Sequence, residues 1–177
     1  MVKSSSAQEL IPPRFSVGRA EIALRAASPA DLPFLQDLYG TTRAEEMLQV
    51  DWSDAQKKEF LDFQFYAQHT HYNEHFADAS RDIIEIDGSA CGRLYLDLRS
   101  DEIRLIDIAL LPESCGQGIG NAILSALLAC AQDRTLPMTI HVEQNNPALR
   151  LYTRLGFEQI DEQGIYYLMR WAPEPRD

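Results

Sequence analysis

Residues 102–144 constrain the fold more than any other part of the chain. "EIRLIDIALL" has the apolar density and β-branched content of a strand. "PESCGQGIG" follows, with glycines at 116, 118 and 120. An amphipathic helix runs on from it, with Ile119, Ile123, Leu127 and Cys130 or Ala131 on its buried face. "LPMTIHVEQ" is then another strand. A strand–helix–strand unit of this length implies a right-handed parallel crossover, so the sheet must contain a parallel pair. Closely spaced glycines before a helix leave bare N–H groups at its positive end, where an anion can sit.

The other segments supply the rest of a mixed sheet. "EIALRAA" reads as a strand, and "SPADLPFLQDLYGTT" as a helix capped by Ser28 with Pro29 in its first turn. A second helix starts at Ser53, where Gln56 completes a capping box, and runs to about Phe76. "DIIEID" and "ACGRLYLDLR" form a hairpin about "DGS", and "SDE" turns the chain into the strand that precedes the glycines. "NPALRLYTRL" is a short helix, with Asn146 as its N-cap, Pro147 its first residue and Gly156 its stop. "FEQI", a turn at "DEQG" and "IYYLMRW" close the chain with two strands. Residues 1–19, with a Ser run and a Pro-Pro pair, are expected to be a loose arm. Residues 20–172 form one domain, and residues 173–177 a tail.

Composition excludes some classes. A formal net charge of −11 argues against nucleic-acid or anionic-membrane binding, which needs Lys and Arg patches. Three cysteines without a CxxC spacing suit a reducing cytoplasm rather than a disulfide scaffold. The first residues lack the apolar core of a signal peptide, and no apolar run is long enough for a membrane span. The expectation is a soluble cytoplasmic protein, compatible with a homodimer. "HTHYNEH" is not H-E-x-x-H and has no second ligand cluster, so no metal is assigned. Leu61, Phe65, Tyr72 and Phe76 instead suit a core-facing stripe, with His69 beside them.

Three anions compete for the glycine loop. A P-loop needs Gly-Lys-Ser/Thr, which is absent. A dinucleotide fold needs a third glycine at position 121, which is Asn121, and a doubly wound sheet rather than a meander. "CGQGIG" after "IALLPE" resembles the pyrophosphate loop of the GNAT superfamily of acyl-CoA N-acyltransferases, [QR]-x-x-G-x-[GA], with Gly118 and Gly120 in place and Cys115 where that family has Gln or Arg. "NNPALRLYTRLGF" resembles the family's second signature through Asn146 (or Asn145), Ala148, Leu151, Tyr152, Gly156 and Phe157.

The resemblance implies an α/β (α+β) fold: a mixed, mostly antiparallel sheet of about seven strands, helices on both faces and one parallel βαβ crossover. It implies acetyl-CoA as cosubstrate and a primary amine as acceptor, joined by direct attack in a ternary complex. Its pantetheine arm would lie in a split between the two parallel strands, against Ile108, Ala109 and Leu110. Gly116, Gln117, Gly118, Ile119, Gly120 and Asn121 would hold the pyrophosphate, with Asn146 and Tyr152 nearby. Tyr152 is the implied general acid, since a phenol stays protonated at neutral pH. Some members carry a Glu base where this chain has Arg104; others carry one where it has His141, with Glu143 two residues on. His141 and Glu143 are therefore the candidates for the base. By strict alternation Asp107 faces the other side of the sheet. The segment between the first two strands would line the acceptor pocket. A catalytically silent GNAT-fold acyl-CoA-binding or regulatory module is the alternative reading, on account of Cys115 and Arg104.

Overall fold

The computed structural model describes residues 7–175. Period-two segments separated by glycine turns produce β1 (Arg14–Val17), β2 (Ala20–Ala26), β3 (Ser80–Ile86), β4 (Ser89–Leu98), β5 (Ile103–Leu110), β6 (Met138–Glu143), β7 (Glu158–Gln163) and β8 (Tyr166–Trp171). They form one sheet in the order β1-β2-β3-β4-β5-β6-β8-β7. Every neighbouring pair is antiparallel except β5 and β6, which are parallel across the expected crossover.

The helices are α1 (Leu32–Thr42), α2 (Ala44–Leu48), α3 (Asp54–His75), α4 (Ile119–Arg134) and α5 (Leu149–Arg154). On one side of the sheet, Ile119, Ile123, Leu124, Leu127 and Ala131 of α4 meet Leu94, Leu96, Ile103, Leu105, Met138 and Ile140. Each buried aliphatic of this size contributes roughly 1.5–3 kcal/mol, so this face supplies most of the cohesion. On the other side, Leu35 and Tyr39 of α1 and Phe65 of α3 cover Ile83. The α3 capping box forms as expected: Gln56 N–H donates to Ser53 Oγ at 3.3 Å and Ser53 N–H to Gln56 Oε1 at 2.9 Å.

Several boundaries differ from the sequence reading. The arm is not loose where it is described: Ala7, Leu10 and Ile11 are buried against Ile22, Leu24 and Ile84. A 3-10 turn at Ala7–Glu9 carries them there, and β1 then pairs with β2, making eight strands rather than about seven. Two apolar residues before the prolines sufficed, and the Ser run beside them masked the signal; residues 1–6 lie outside the described residues. Helix α5 starts at Leu149 rather than Pro147, because residues 146–148 form a turn in which Asn146 Oδ1 accepts the Ala148 N–H at 2.9 Å. The last hairpin turns at Gly164, so β7 runs on through the acidic residues expected in the turn. In the tail, Glu174 exchanges two hydrogen bonds with Gln132 of α4, at 2.8 and 3.0 Å. No described helix is long and apolar enough to cross a membrane.

Candidate acyl-transfer site

The parallel pair is joined at one end and parted at the other. β5 and β6 pair only at Ile103↔Met138, Arg104↔Thr139 and Leu105↔Ile140. Beyond that point Ile108, Ala109 and Leu110 stay with Leu94, Arg93 and Gly92 of β4, while His141, Val142 and Glu143 stay with β8. The facing edges of the two strands therefore leave backbone N–H and C=O groups open to an extended, amide-bearing ligand. A bulge marks the divergence. Tyr95 pairs with Asp107 and Leu96 with Leu105, which leaves Ile106 as the extra residue.

The glycine loop lies at the end of the split. Gly116 and Gly118 have φ of 75° and 84°, a left-handed backbone that glycine adopts without penalty. Gly118 is the N-cap of α4, and Ala122 is the first residue whose N–H reaches back four positions, to Gly118 at 2.9 Å. The N–H groups of Ile119, Gly120 and Asn121 precede it and open at the positive helix end. A Cβ at Gly116 would meet no atom within 4 Å, so the loop leaves open space where an anion needs it. A Cβ at Gly118 would touch Val17 at 3.8 Å, so the folded arm walls this loop. Gln117 is exposed and donates to the Glu113 carbonyl at 2.6 Å. Cys115 is exposed, with its Sγ 3.8 Å from the Leu110 carbonyl oxygen. These residues fit a pyrophosphate held by backbone donors.

On the α3 side of the sheet, a cleft of about 520 Å³ opens between Tyr39, Arg43, Tyr72, Ile106, His141 and Tyr166. His141 is held by a chain of polar groups. Thr139 Oγ1 donates to Glu102 at 2.6 Å. Arg104 donates to the same carboxylate through Nε and Nη2, and through Nη1 to His141 Nδ1 at 3.0 Å. Arginine can only donate, so Nδ1 accepts and the imidazole proton sits on Nε2. Burial, then the Arg104 charge, hold the His141 pKa below its ordinary value. Glu143 is engaged by Arg43, at 3.0 and 3.3 Å, which ties the end of α1 to β6.

Tyr152 projects from α5 into the core and is only 3% exposed. Its ring meets Phe157 edge-on at 5.7 Å. Burial, and then the nearby Asp107 carboxylate, push its phenol well above the ordinary value. Asp107 itself departs from the sequence reading. The bulge at Ile106 inverts the alternation, so Asp107 shares a face with Tyr95 and Arg93, on the side of Arg104 and His141. Asn146 spends its side chain on the turn before α5. Among the described residues no group of three or more His, Cys, Asp or Glu could hold a metal ion. His71 and His75 stack at 4.1 Å, and His69 stacks on Phe65 at 5.7 Å.

Residues 72–159 match the family model of the acetyltransferase (GNAT) domain. The chain belongs to the GNAT superfamily. It is 32% identical over 68 residues to the [ribosomal protein bS18]-alanine N-acetyltransferase of Haemophilus influenzae, a match covering 38% of this chain and 47% of that protein. The matched region thus spans about half the length of that relative. Two solved structures share the fold at 18% identity. The PaiA N-acetyltransferase of Thermoplasma acidophilum, in complex with coenzyme A, has a TM-score of 0.63 and covers 85% of this chain and 98% of its own. Arabidopsis thaliana Naa50, in complex with the bisubstrate analogue CoA-Ac-MVNAL, has a TM-score of 0.52 with the same coverages.

Within this GNAT fold the structure brings the loop, the split and His141 to one end of β5 and β6. Tyr152 approaches from the opposite face of the sheet, and Glu143 is already paired. Sequence reasoning missed the Glu102–Arg104–His141 chain and the placement of Asp107. The first depends on the register of β5 against β6, in which Arg104 lies opposite Thr139, and no local sequence signal sets that register. The second was not legible either, because nothing in "RLIDIALL" announces a bulge.

Proposed function

We propose that this chain is an N-acetyltransferase that moves an acetyl group from acetyl-CoA to a primary amine by direct attack in a ternary complex. The observation that carries this reading is the parting of β5 from β6 beyond Leu105 and Ile140, with the glycine loop at its end. Backbone of Ile108, Ala109 and Leu110 pairs with the pantetheine amides, and an N–H near Leu110 receives the developing oxyanion. Gly116 to Asn121 hold the pyrophosphate. The amine enters from the cleft beside His141. Arg104 keeps two bonds to Glu102 when Nη1 lets go, so freeing His141 Nδ1 as a base costs about one hydrogen bond, roughly 0.5–1.5 kcal/mol. As the new N–C bond forms and the C–S bond breaks, Tyr152 gives its proton to the departing thiolate. The sparse, unpaired cysteines and the acidic surface support a cytoplasmic enzyme acting on neither nucleic acid nor membrane.

Calorimetric titration with acetyl-CoA tests the first half, with one saturable site expected. Mass spectrometry of a panel of amino-acid amides, short peptides, polyamines and aminoglycosides tests the second, with a 42-Da gain expected on at least one. Absence of acetyl-CoA binding overturns the proposal. A second reading, a binding module without catalysis, is favoured by the Arg104 bond that occupies His141 Nδ1. Acetyl-CoA binding with no acetylated product across the panel would select it.

A further inference from the structure

We propose that Asp107 is the anchor for the ammonium group of the acceptor. This rests on the acetyltransfer reading above. The first argument is placement. Without the bulge, Asp107 would follow Ile103 and Leu105 into the core beneath α4. The extra residue at Ile106 turns it onto the acceptor side, directly after a residue that lines the cleft and directly before the strand edge that parts from β6.

The second argument is how the carboxylate is held. Arg93 pairs with Asp107 Oδ2 at 2.5 Å and is itself fixed by Gln68 at 3.0 Å and by the face of Tyr95 at 5.4 Å. The two partners differ in access: the Arg93 side chain is 4% exposed and that of Asp107 19%. A pair serving packing alone would bury both. Here the cation is enclosed and the anion keeps an open flank. Tyr72, whose ring packs edge-on against Tyr95 at 5.9 Å, lines the same cleft. A cationic head entering past Tyr72 and His141 therefore meets one fixed negative charge at the point where the strands part. His141 turns Nδ1 to Arg104, and that guanidinium, which lines the same cleft, is itself paired with Glu102. Asp107 holds the ammonium, and the proton leaves to His141.

The test uses the full chain with Asp107→Asn, and Arg93→Met/Asp107→Asn to remove the buried cation left unpaired by the single change. Acetyl-CoA affinity is expected to match wild type in both. KM for the best amine of the panel is expected to rise about tenfold or more in both, with kcat little changed. The gap should narrow above the amine's own pKa, where a neutral acceptor needs no anchor. An unchanged KM, or a wild-type KM in the double variant, overturns the proposal; the latter would mean that Asp107 only neutralises Arg93. Loss of acetyl-CoA affinity in both variants overturns it too. If wild type binds acetyl-CoA but acetylates nothing, the acetyltransfer reading fails on its own. Titration of the acetyl-CoA complex with n-butylamine at pH 7 then decides the anchor, with saturable binding expected in wild type and lost in Asp107→Asn. Equal binding by both, or by neither, overturns it.

Discussion

Tyr152→Phe removes one oxygen from a ring that is 3% exposed, and the structure sets what else should change. The edge contact with Phe157 at 5.7 Å survives, as does the ring's burial. Among the described residues the hydroxyl has no hydrogen-bond partner, so none is orphaned. Stability should therefore move by no more than about 1 kcal/mol, or about 2–4 °C in Tm for a chain of this size. Tyr152→Ala, by contrast, opens a cavity and should cost about 3–5 kcal/mol. The effect on catalysis is of another order. Loss of a general acid costs about 10²–10⁴ in rate, equivalent to roughly 3–5 kcal/mol of barrier. The pH dependence adds a second readout. Burial and the Asp107 charge both penalise the phenolate, so wild type should show no loss of kcat from Tyr152 up to about pH 10, the ordinary tyrosine value. Steady-state kinetics with the best amine of the panel, with calorimetry for acetyl-CoA and a thermal melt as controls, completes the assay. A Phe variant with kcat within about threefold of wild type would falsify the assignment of Tyr152 as acid.

Arg104→Met removes the charge that, after burial, depresses the His141 pKa, so the acid limb of kcat/KM should move to higher pH; an unmoved limb in a pH–rate profile would take His141 out of the titration. Gly92→Ala would drive a methyl into the carbonyl oxygen of Ala109 and to 2.7 Å from Leu110 Cδ2, both on the parting end of β5. It should cost about 1–3 kcal/mol by thermal melt and weaken acetyl-CoA binding by calorimetry. Arg25, bound bidentately at 2.6 and 2.9 Å, holds the Asp31 carboxyl far below its usual range at the start of α1. A carboxyl depressed in the folded state stabilises above its unfolded pKa of about 4, and that contribution is lost as pH falls. The Tm of wild type should fall more steeply below pH 4 than that of Asp31→Asn; parallel slopes would refute the linkage.

Most of the fold was legible because local signals agreed with one another. The Ser53–Gln56 box, the apolar face of α4 and Gly156 after α5 each followed from residue type and spacing, and the structure has all three. The crossover was legible too, since its parallel pairing follows from chain length and handedness. The arm was misread because Leu10 and Ile11 are too few to show a period, and only Ile22, Leu24 and Ile84 waiting beside them make their burial favourable.

The candidate site divides along the same line. The loop's composition, the helix behind it and Tyr152 on the following helix were set by the sequence alone, because glycine conformation and helix polarity are local properties. Which groups face one another was decided by tertiary structure. Arg104 and His141 meet because β5 and β6 are in register for three residues, and the split opens because they are not for longer. Asp107 lies on the side of Arg104 and His141 because one unpaired residue, Ile106, reverses the alternation of the strand. Side-chain direction in a sheet depends on the partner strand's hydrogen bonds, and those are made by residues that the local sequence does not contain.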